Sequence, residues 1–382
     1  MSIEKYREEI DSIDKVLVEL FVKRMNVAKE IAQYKKDSGK AVCDTERERK
    51  LLEKVENSAG EEFGDYTRRL YSSILELSRN YQTKSIAPTS GLSEKIKDAV
   101  ENTNPLFPEK AVVACQGVEG AHSSAACQKI FEKPSLMYCQ SFEAVFQAVQ
   151  SGLCTYGVVP LENSSAGSVT QIYNLMSKYK FSIVRSTKMQ IKHNILAKKG
   201  TRLEDIKEII SHPQALGQSS DFLSTLSKDV KITECENTAI AAQMVSESGR
   251  SDIAAISSEL CASQYSLEII KRDVQNTKNN YTRFICFAKN LEIYPGADRT
   301  SLLIKTPHRA GALYSVIANF YALGINIIKL ESRPIPESDF EFMFYFDIDV
   351  SVYSEKLPAI IDLLEYSLGE QNIKYLGSYR EA

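Results

Sequence analysis

An arginine stands where a helical pattern asks for an apolar residue. Ile3, Tyr6, Ile10, Ile13, Leu17, Leu20, Val27, Ile31 and Tyr34 recur at alternating steps of three and four, the spacing of a buried helical seam. The step after Leu20 falls on Arg24, and no acidic residue interrupts the stripe to meet it. A desolvated guanidinium without a partner is costly, so Arg24 calls for an anion. A bound anionic ligand and a structural ion pair are the two readings open. Lys35 lies three helical turns and about 20° further on, and so faces the same side. Asp44, Arg47 and Glu48 are spaced i, i+3, i+4, which a short helix would gather on one face, and Ser78 and Gln82 are spaced i, i+4. Taken alone, 44–48 also reads as a capped, salt-bridged surface helix, and Ser78 and Gln82 as surface polar residues.

Three further motifs follow. VPLENSSAGSV (159–169) lies between a strand and a helix, bringing hydroxyls and backbone amides to a helix N-terminus, where anions bind. SHPQALGQSS (211–220) repeats the arrangement, with Ser211 or His212 as the cap and Pro213 at the first helical position. NNYTRF (279–284) sets Thr282 and Arg283 at the start of a buried strand. Each motif alone is also ordinary capping or strand chemistry.

These residues must be held by elements of three kinds. Residues 1–84 read as helices only: a long one from Ser2 to near Lys36 ended by Gly39, a short one from Thr45, and a third from about Asp65 to Gln82. The first would span roughly 50 Å, too long for one small bundle to cover, which argues for a dimer. Residues 85–109, rich in Ser, Pro, Thr and Asn, read as a linker around one weakly amphipathic stretch, SEKIKDAV. From Ala111, the strand-like AVVAC, YGVVPL, KITEC, DIAAIS and FICFA alternate with the helix-like FEAVFQAVQSG, QALGQSSDFL and TAIAAQMVSE. This implies α/β architecture in two lobes, roughly 111–185 and 190–275, around a cleft. The remainder reads strand, helix, strand, strand, helix, strand, the βαββαβ order of a ferredoxin-like α+β domain. The expected division is 1–84, linker 85–109, 110–290 and 291–382.

The whole chain narrows the function classes. Its 382 residues suffice for two or three cores. The 47 basic and 50 acidic residues nearly cancel, which lends no support to nucleic-acid or anionic-membrane binding. No apolar run approaches the roughly 20 residues of a membrane span, and MSIEKYREEIDS lacks the apolar core of a signal peptide. Eight dispersed cysteines without a Cys-x-x-Cys pair suit reduced thiols in the cytoplasm, and neither they nor the four scattered histidines outline a metal site. Neither GxGxxG nor GxxxxGK[ST] occurs, which disfavours a dehydrogenase or a kinase.

The spacings in residues 1–84 closely resemble the all-helical class of chorismate mutase. That resemblance implies that Arg24, Lys35 and Arg47 hold the two carboxylates of chorismate, and that Arg7 reaches into the pocket of a second subunit. Asp44 would orient the substrate or its neighbours, Glu48 would accept from the substrate hydroxyl, Ser78 would bind a carboxylate, and Lys35 and Gln82 would donate to the ether oxygen. A Claisen rearrangement suits these residue types, because it needs a compact conformer and positive charge near an oxygen but no nucleophile, base or cofactor. Residues 111–288 resemble prephenate dehydratase: Thr282, Arg283 and Phe284 match its Thr-Arg-Phe signature, Glu162, Asn163, Ser164 and Ser165 match ENSS, and IKHNIL matches a further segment around His193. One departure is His122 in GVEGAHSS, where that family commonly has tyrosine. The implied reaction releases carbon dioxide and hydroxide from prephenate. Thr282 would donate to the departing hydroxyl, Asn163, Ser164 and Gln218 would position ring and carboxylates, and Arg283 would pair with a carboxylate.

The C-terminal unit resembles an ACT domain. The resemblance implies phenylalanine bound at a subunit interface by Gly311, Ala312 and Leu313, which open a helix, and by Glu331, Ser332, Arg333 and Pro334, which close a strand. The resulting expectation is one cytoplasmic, oligomeric enzyme without metal or cofactor that converts chorismate to prephenate and on to phenylpyruvate under phenylalanine inhibition. The competing readings are a non-catalytic amino-acid sensor and a dehydratase acting on arogenate.

Overall fold

The computed structural model describes residues 2–38, 44–86, 89–335 and 342–382. Three helices come first: α1 (Ile3–Ser38), α2 (Thr45–Ser58) and α3 (Gly60–Ile86). Gly39, expected to end α1, and Cys43 lie outside the described residues. Asp44 caps α2, its Oδ1 accepting from the Arg47 amide at 3.0 Å. Gly60, at φ +72°, turns the chain from α2 into α3, so α3 starts earlier than the Asp65 expected. Both α1 and α2 pack on α3.

The apolar seam of α1 is not buried as its spacing suggests. Ala28 and Ala32 are the buried residues of α1, whereas Ile3, Tyr6, Ile10, Ile13, Leu17 and Leu20 expose 48–62% of their surface. The reason is length. A helix of 36 residues runs about 54 Å against about 40 Å for the 27 residues of α3, and even beside α3 Leu17 and Leu20 border an open apolar cavity.

The stretch expected as a linker holds an ordered helix, α4 (Gly91–Asn102). Its amphipathic face buries Ile96, and the Ser90 amide and Ser93 hydroxyl donate to Asp362 Oδ1 at 2.9 and 2.6 Å.

The α/β region then runs β1 (Lys110–Gln116), α5 (His122–Ile130), β2 (Lys133–Cys139), α6 (Phe142–Gln150), β3 (Tyr156–Asn163), β4 (Gly167–Ser168), α7 (Thr170–Lys178) and β5 (Ser182–Gln190). A second lobe follows with β6 (Asn194–Ala197), β7 (Glu208–Ser211), α8 (Pro213–Gln218), α9 (Ser220–Leu223), β8 (Lys231–Glu234), α10 (Thr238–Glu247), β9 (Ile253–Ser257), α11 (Glu259–Gln264) and β10 (Glu268–Lys271). QALGQSSDFL is thus two short helices, broken at Ser219 (φ −118°, ψ 18°), and not one. β11 (Tyr281–Ala288) returns to the first lobe, pairing antiparallel with both β3 and β5. β1 is parallel to β2 and β3.

The second lobe's sheet has the order β10-β6-β9-β7-β8. Its β9 is buried at every residue: Ile253 and Ala255 face one apolar cluster, Ala254 and Ile256 the other.

The chain ends with β12 (Arg299–Thr306), α12 (Ala312–Ala322), β13 (Asn326–Pro334), β14 (Phe342–Asp349), α13 (Lys356–Leu368) and β15 (Ile373–Glu381), in the sheet order β13-β14-β12-β15. Residues 340 and 341, expected to open the third of these strands, lie outside the described residues.

By compactness the chain forms two units that do not follow sequence order: Met1–Lys97 with Leu302–Lys374, and Asp98–Ser301 with Tyr375–Ala382. Among the described residues no helix is long and apolar enough to cross a membrane. Seven cysteines lie among them, each a free thiol and all but Cys235 buried.

Candidate active sites

Two cavities gather the residues singled out by chemistry. The first, of about 350 Å³, lies among α1, α2 and α3 and is lined by Arg24, Lys35, Asp44, Arg47, Glu48, Ser78 and Gln82, with Val27, Ala28, Ile31, Leu51 and Leu75 as its apolar wall. Residues up to 58 positions apart in sequence therefore share one wall, because α2 and α3 fold back along α1. Arg24 Nη1 and Gln82 Oε1 are buried without a hydrogen-bond partner, while Gln82 Nε2 lies 3.2 Å from Ser78 Oγ. Arg24 makes no ion pair among the described residues, so the cavity, and not a structural anion, is what its guanidinium faces. Arg7 is exposed on α1 and lies outside this cavity.

One lining residue escaped the sequence pattern. Arg79 of α3 forms an ion pair with Glu48 of α2. Pairing between helices leaves no signature in spacing. With Arg79 counted, four cations face two carboxylates, and the wall keeps a surplus of two positive charges. That surplus complements a small dianion.

The second cavity, of about 360 Å³, lies between the two lobes of the α/β region. Thr282 and Asn163 form part of its wall because β11 and β3 are in register, Thr282 opposite Asn163 and Arg283 opposite Glu162. Side chains alternate along a strand, so the first pair faces the cavity and the second faces away. Arg283, 3% exposed, reaches Glu162 Oε1 at 3.3 Å and the Tyr379 hydroxyl at 2.6 Å. Expected as a substrate cation, it is a buried strut.

Ser164 and Ser211 also miss the cavity wall. The Ser164 hydroxyl donates to the Asn279 carbonyl at 2.7 Å, and Ser211 donates to the Ile256 carbonyl at 2.7 Å from full burial. His212 lines the cavity and caps α8, its Nδ1 accepting from the Gln214 amide at 3.2 Å. Gln218 lines it as well.

The polar groups of this cavity form one ordered chain. Asn163 Oδ1 accepts from the backbone amides of Ser165 and Ala166 at 3.0 and 2.8 Å, so its Nδ2 must point the other way. Nδ2 donates to Thr282 Oγ1 at 2.9 Å and to Asn280 Oδ1 at 2.8 Å. Asn280 Nδ2 then donates to Gln218 Oε1 at 3.0 Å, which leaves His193 Nε2, 2.9 Å from the same oxygen, as a donor. Nδ1 of the same ring has no partner, and burial lowers the His193 pKa, which favours the neutral ring with its proton on Nε2. Burial, with His193 nearby, also brings His122 down to about 4. Three lining atoms, His122 Nε2, His193 Nδ1 and Gln218 Nε2, are buried with no partner. Buried polar atoms rarely go unpaired, and all three of these belong to residues that line one cavity, where a polar ligand could meet them.

Among the described residues no lysine or arginine lines this cavity, and beside three histidines whose pKa values burial lowers, Glu236 is the charged residue on its wall. The N-termini of α5 (His122, Ser123), α6 (Phe142), α7 (capped by Val169) and α10 (Asn237, Thr238) open on it instead. Converging backbone amides attract anions without a formal charge. Of these helix ends, the α7 end was legible in a motif; the α5, α6 and α10 ends were not, because nothing in sequence says that distant helices converge.

The effector-type segments lie on α12 and β13, two elements that pack together. Gly311 precedes Ala312 and Leu313 at φ +83°, a backbone conformation that favours glycine, and Glu331 pairs with Arg333 at 2.8 Å two residues along β13, between Ser332 and Pro334.

Comparison with known proteins follows this geometry. The chorismate mutase type II family matches residues 6–83, and the prephenate dehydratase family matches residues 113–292. The bifunctional chorismate mutase/prephenate dehydratase of Enterobacter agglomerans is 31% identical, covering 98% of this chain and 94% of its own. The arogenate dehydratase/prephenate dehydratase 1 of Arabidopsis thaliana is 33% identical, covering 82% of this chain and 84% of its own. The crystal structure of prephenate dehydratase from Arthrobacter aurescens in complex with L-Phe superposes with a TM-score of 0.64 at 24% identity, over 70% of this chain and 89% of that one. By its two sites and by this full-length likeness, the chain belongs to the bifunctional chorismate mutase/prephenate dehydratase family.

Proposed function

We propose that the two cavities carry the two activities in succession. In the first, Arg24, Arg47 and Lys35 hold the carboxylates of chorismate with its reacting ends folded together, and Ser78 adds a hydrogen bond. Lys35 and Gln82 meet the ether oxygen as its C–O bond breaks and the new C–C bond forms, where positive charge and an amide donor lower the barrier. Asp44 orients Arg47 and its helix, and Glu48 accepts from the substrate hydroxyl. In the second cavity, the helix N-termini hold prephenate's carboxylates. As the ring carboxylate leaves as carbon dioxide, its electron pair flows into the ring and expels hydroxide, toward which Thr282 donates. Asn163, Gln218 and His212 position the ring; Glu162 and Arg283 brace the strands beneath.

The observation that carries this reading is the convergence of Arg24, Lys35, Arg47, Ser78 and Gln82 on one cavity with a surplus of two positive charges. An amino-acid sensor has no use for such a wall. The Arg24→Ala variant tests it: mutase turnover is lost while dehydratase turnover from supplied prephenate persists. Loss of neither activity contradicts it. Running the second assay with arogenate as well decides between the two dehydratase substrates.

The chain acts as a homodimer or higher oligomer. The exposed stripe of α1 borders an apolar cavity of about 690 Å³ lined by Ile13, Val16, Leu17, Leu20, Leu70 and Ile74. A second copy would cover it, and its Arg7 would enter this chain's first cavity. Residues 291–382 form a ferredoxin-like ACT domain that binds phenylalanine through Gly311–Leu313 and Glu331–Pro334, with the mutase domain at 1–84 and the dehydratase domain at 110–290. The L-Phe held by the Arthrobacter protein and the element order β12 to β15 support this. Free buried thiols suit a cytoplasmic location.

A further inference from the structure

The first cavity and the C-terminal helices share α3. Arg79 pairs with Glu48 inside the cavity. One turn back on α3, Glu76 accepts a hydrogen bond from the Tyr314 hydroxyl at 3.0 Å. Tyr314 sits in the first turn of α12, immediately after Gly311, Ala312 and Leu313. Both α12 and α13 pack on α3. The packing between them is not filled: a cavity of about 350 Å³ lies among Phe21, Met25, Leu77, Ala322, Leu323 and Leu363. Space of that size lets α12 shift against α3 without overpacking.

The chemistry gives Arg79 a specific task. A carboxylate at Glu48 facing a dianionic substrate is repulsive unless it is neutralised and aimed. An arginine pair does both, fixing the carboxylate geometry while the remaining lone pairs accept. Glu76 lies one turn from Arg79 at i, i+3, and the Arg79 cation acts electrostatically on the Tyr314 hydroxyl that Glu76 binds, so the three groups share one neighbourhood. Tyr314 in turn competes for Glu76. Whatever moves the first turn of α12 changes how Glu76, then Arg79, then Glu48 is presented.

We propose that Arg79 is a positioning residue for Glu48, and that Tyr314, acting through Glu76, passes ligand binding at the start of α12 to the mutase cavity. The second half rests on the effector site proposed above at Gly311–Leu313. The purified full-length chain tests both halves, with mutase and dehydratase assayed separately, with and without phenylalanine. Arg79→Ala lowers mutase kcat about tenfold, the scale of one charge-assisted hydrogen bond, with a smaller change in KM, and Arg79→Lys restores part of it. Dehydratase turnover in the same preparations stays at the wild-type level and shows that the variants fold. In the wild type, phenylalanine alters both activities; in Tyr314→Phe and in Glu76→Gln it still inhibits the dehydratase but no longer alters the mutase.

Unchanged mutase kcat in Arg79→Ala overturns the positioning role. A mutase that answers phenylalanine equally in the wild type and in Tyr314→Phe, or in neither while the dehydratase is inhibited, overturns the relay. If phenylalanine affects neither activity of the wild type, the effector site itself fails, and the Arg79 variants still decide the positioning role.

Discussion

Asn163 and Thr282 face each other across β3 and β11, and the Asn163 amide donates to the Thr282 hydroxyl oxygen at 2.9 Å. The direction of that bond matters. Asn163 Oδ1 is occupied by two backbone amides, so Nδ2 is the atom that meets Thr282, and the threonine oxygen accepts. Its own hydrogen is left to point into the cavity. A threonine of ordinary acidity is a poor general acid, but an oriented hydroxyl stabilises charge on a departing oxygen. Thr282→Ala is expected to lower dehydratase kcat by roughly 10²- to 10³-fold, the scale of losing one such donor. Thr282→Ser keeps the hydroxyl and retains much more. Asn163→Ala frees the threonine to rotate and also lowers kcat. Steady-state rates with supplied prephenate check all three, and mutase rates are the control.

Gln82 provides a test through pH. Its amide donates without taking up a proton, so mutase activity is expected to be flat across neutral pH. In Gln82→Glu the carboxylate cannot donate at pH 8 and repels a dianion. It becomes a donor only when protonated, and burial at this position, 8% exposed, moves that protonation above the ordinary value of about 4.3. Activity of the variant therefore rises as pH falls, expected to be about tenfold or more higher at pH 5 than at pH 8. Full activity of the variant at pH 8 contradicts a donor role for Gln82.

That the mutase residues belong to one pocket came from the resemblance to chorismate mutase. Helical periodicity placed Arg24 and Lys35 on one face and grouped Asp44, Arg47 and Glu48, and Ser78 and Gln82, within their own helices. Those relations are local to one helix, which is why they were legible. What crosses between elements was not. Arg79 meets Glu48 only because α2 folds against α3, and Asn280, Gln218 and His193 join one chain only because β11 returns beside β3. Arg283 was misread for a related reason. A charged residue beside a reactive one in sequence points the opposite way on a strand, and its partner Tyr379 is 96 residues distant. The α1 seam was legible as apolar and as too long for one small bundle to cover, and within one chain most of it is exposed.

Arg283 should respond as a strut and not as a substrate cation. Removing Arg283 leaves the buried Tyr379 hydroxyl without its partner, while Glu162 is partly open to water, which together cost roughly 1–3 kcal/mol. Arg283→Ala is expected to lower thermal stability by that order and to reduce the amount of folded protein. The fraction that folds binds prephenate with little change in KM. A large rise in KM at unchanged melting temperature would return Arg283 to the substrate.

His122 predicts a pH dependence of stability. The unfolded imidazole takes up a proton near its ordinary value of 6.5, but the folded one does so only at about 4, because burial disfavours the cation. Between those values the unfolded state binds more protons, so stability is full above pH 6.5 and falls as pH drops toward 4. Replacing the imidazole by His122→Phe removes this contribution. Denaturation midpoints measured from pH 7 to pH 4 should fall less steeply for the variant than for the wild type. Parallel curves would show that His122 does not titrate in this way.

The most direct measurement follows one substrate through both cavities. Purified protein is given chorismate, and prephenate and phenylpyruvate are quantified separately over time. The wild type is predicted to consume chorismate and accumulate phenylpyruvate. The Thr282→Ala variant is predicted to consume chorismate at the wild-type rate and accumulate prephenate, and Arg24→Ala to leave chorismate untouched while still converting added prephenate. A wild-type protein that consumes neither chorismate nor prephenate contradicts the account, and so does a Thr282→Ala variant that forms phenylpyruvate at the wild-type rate.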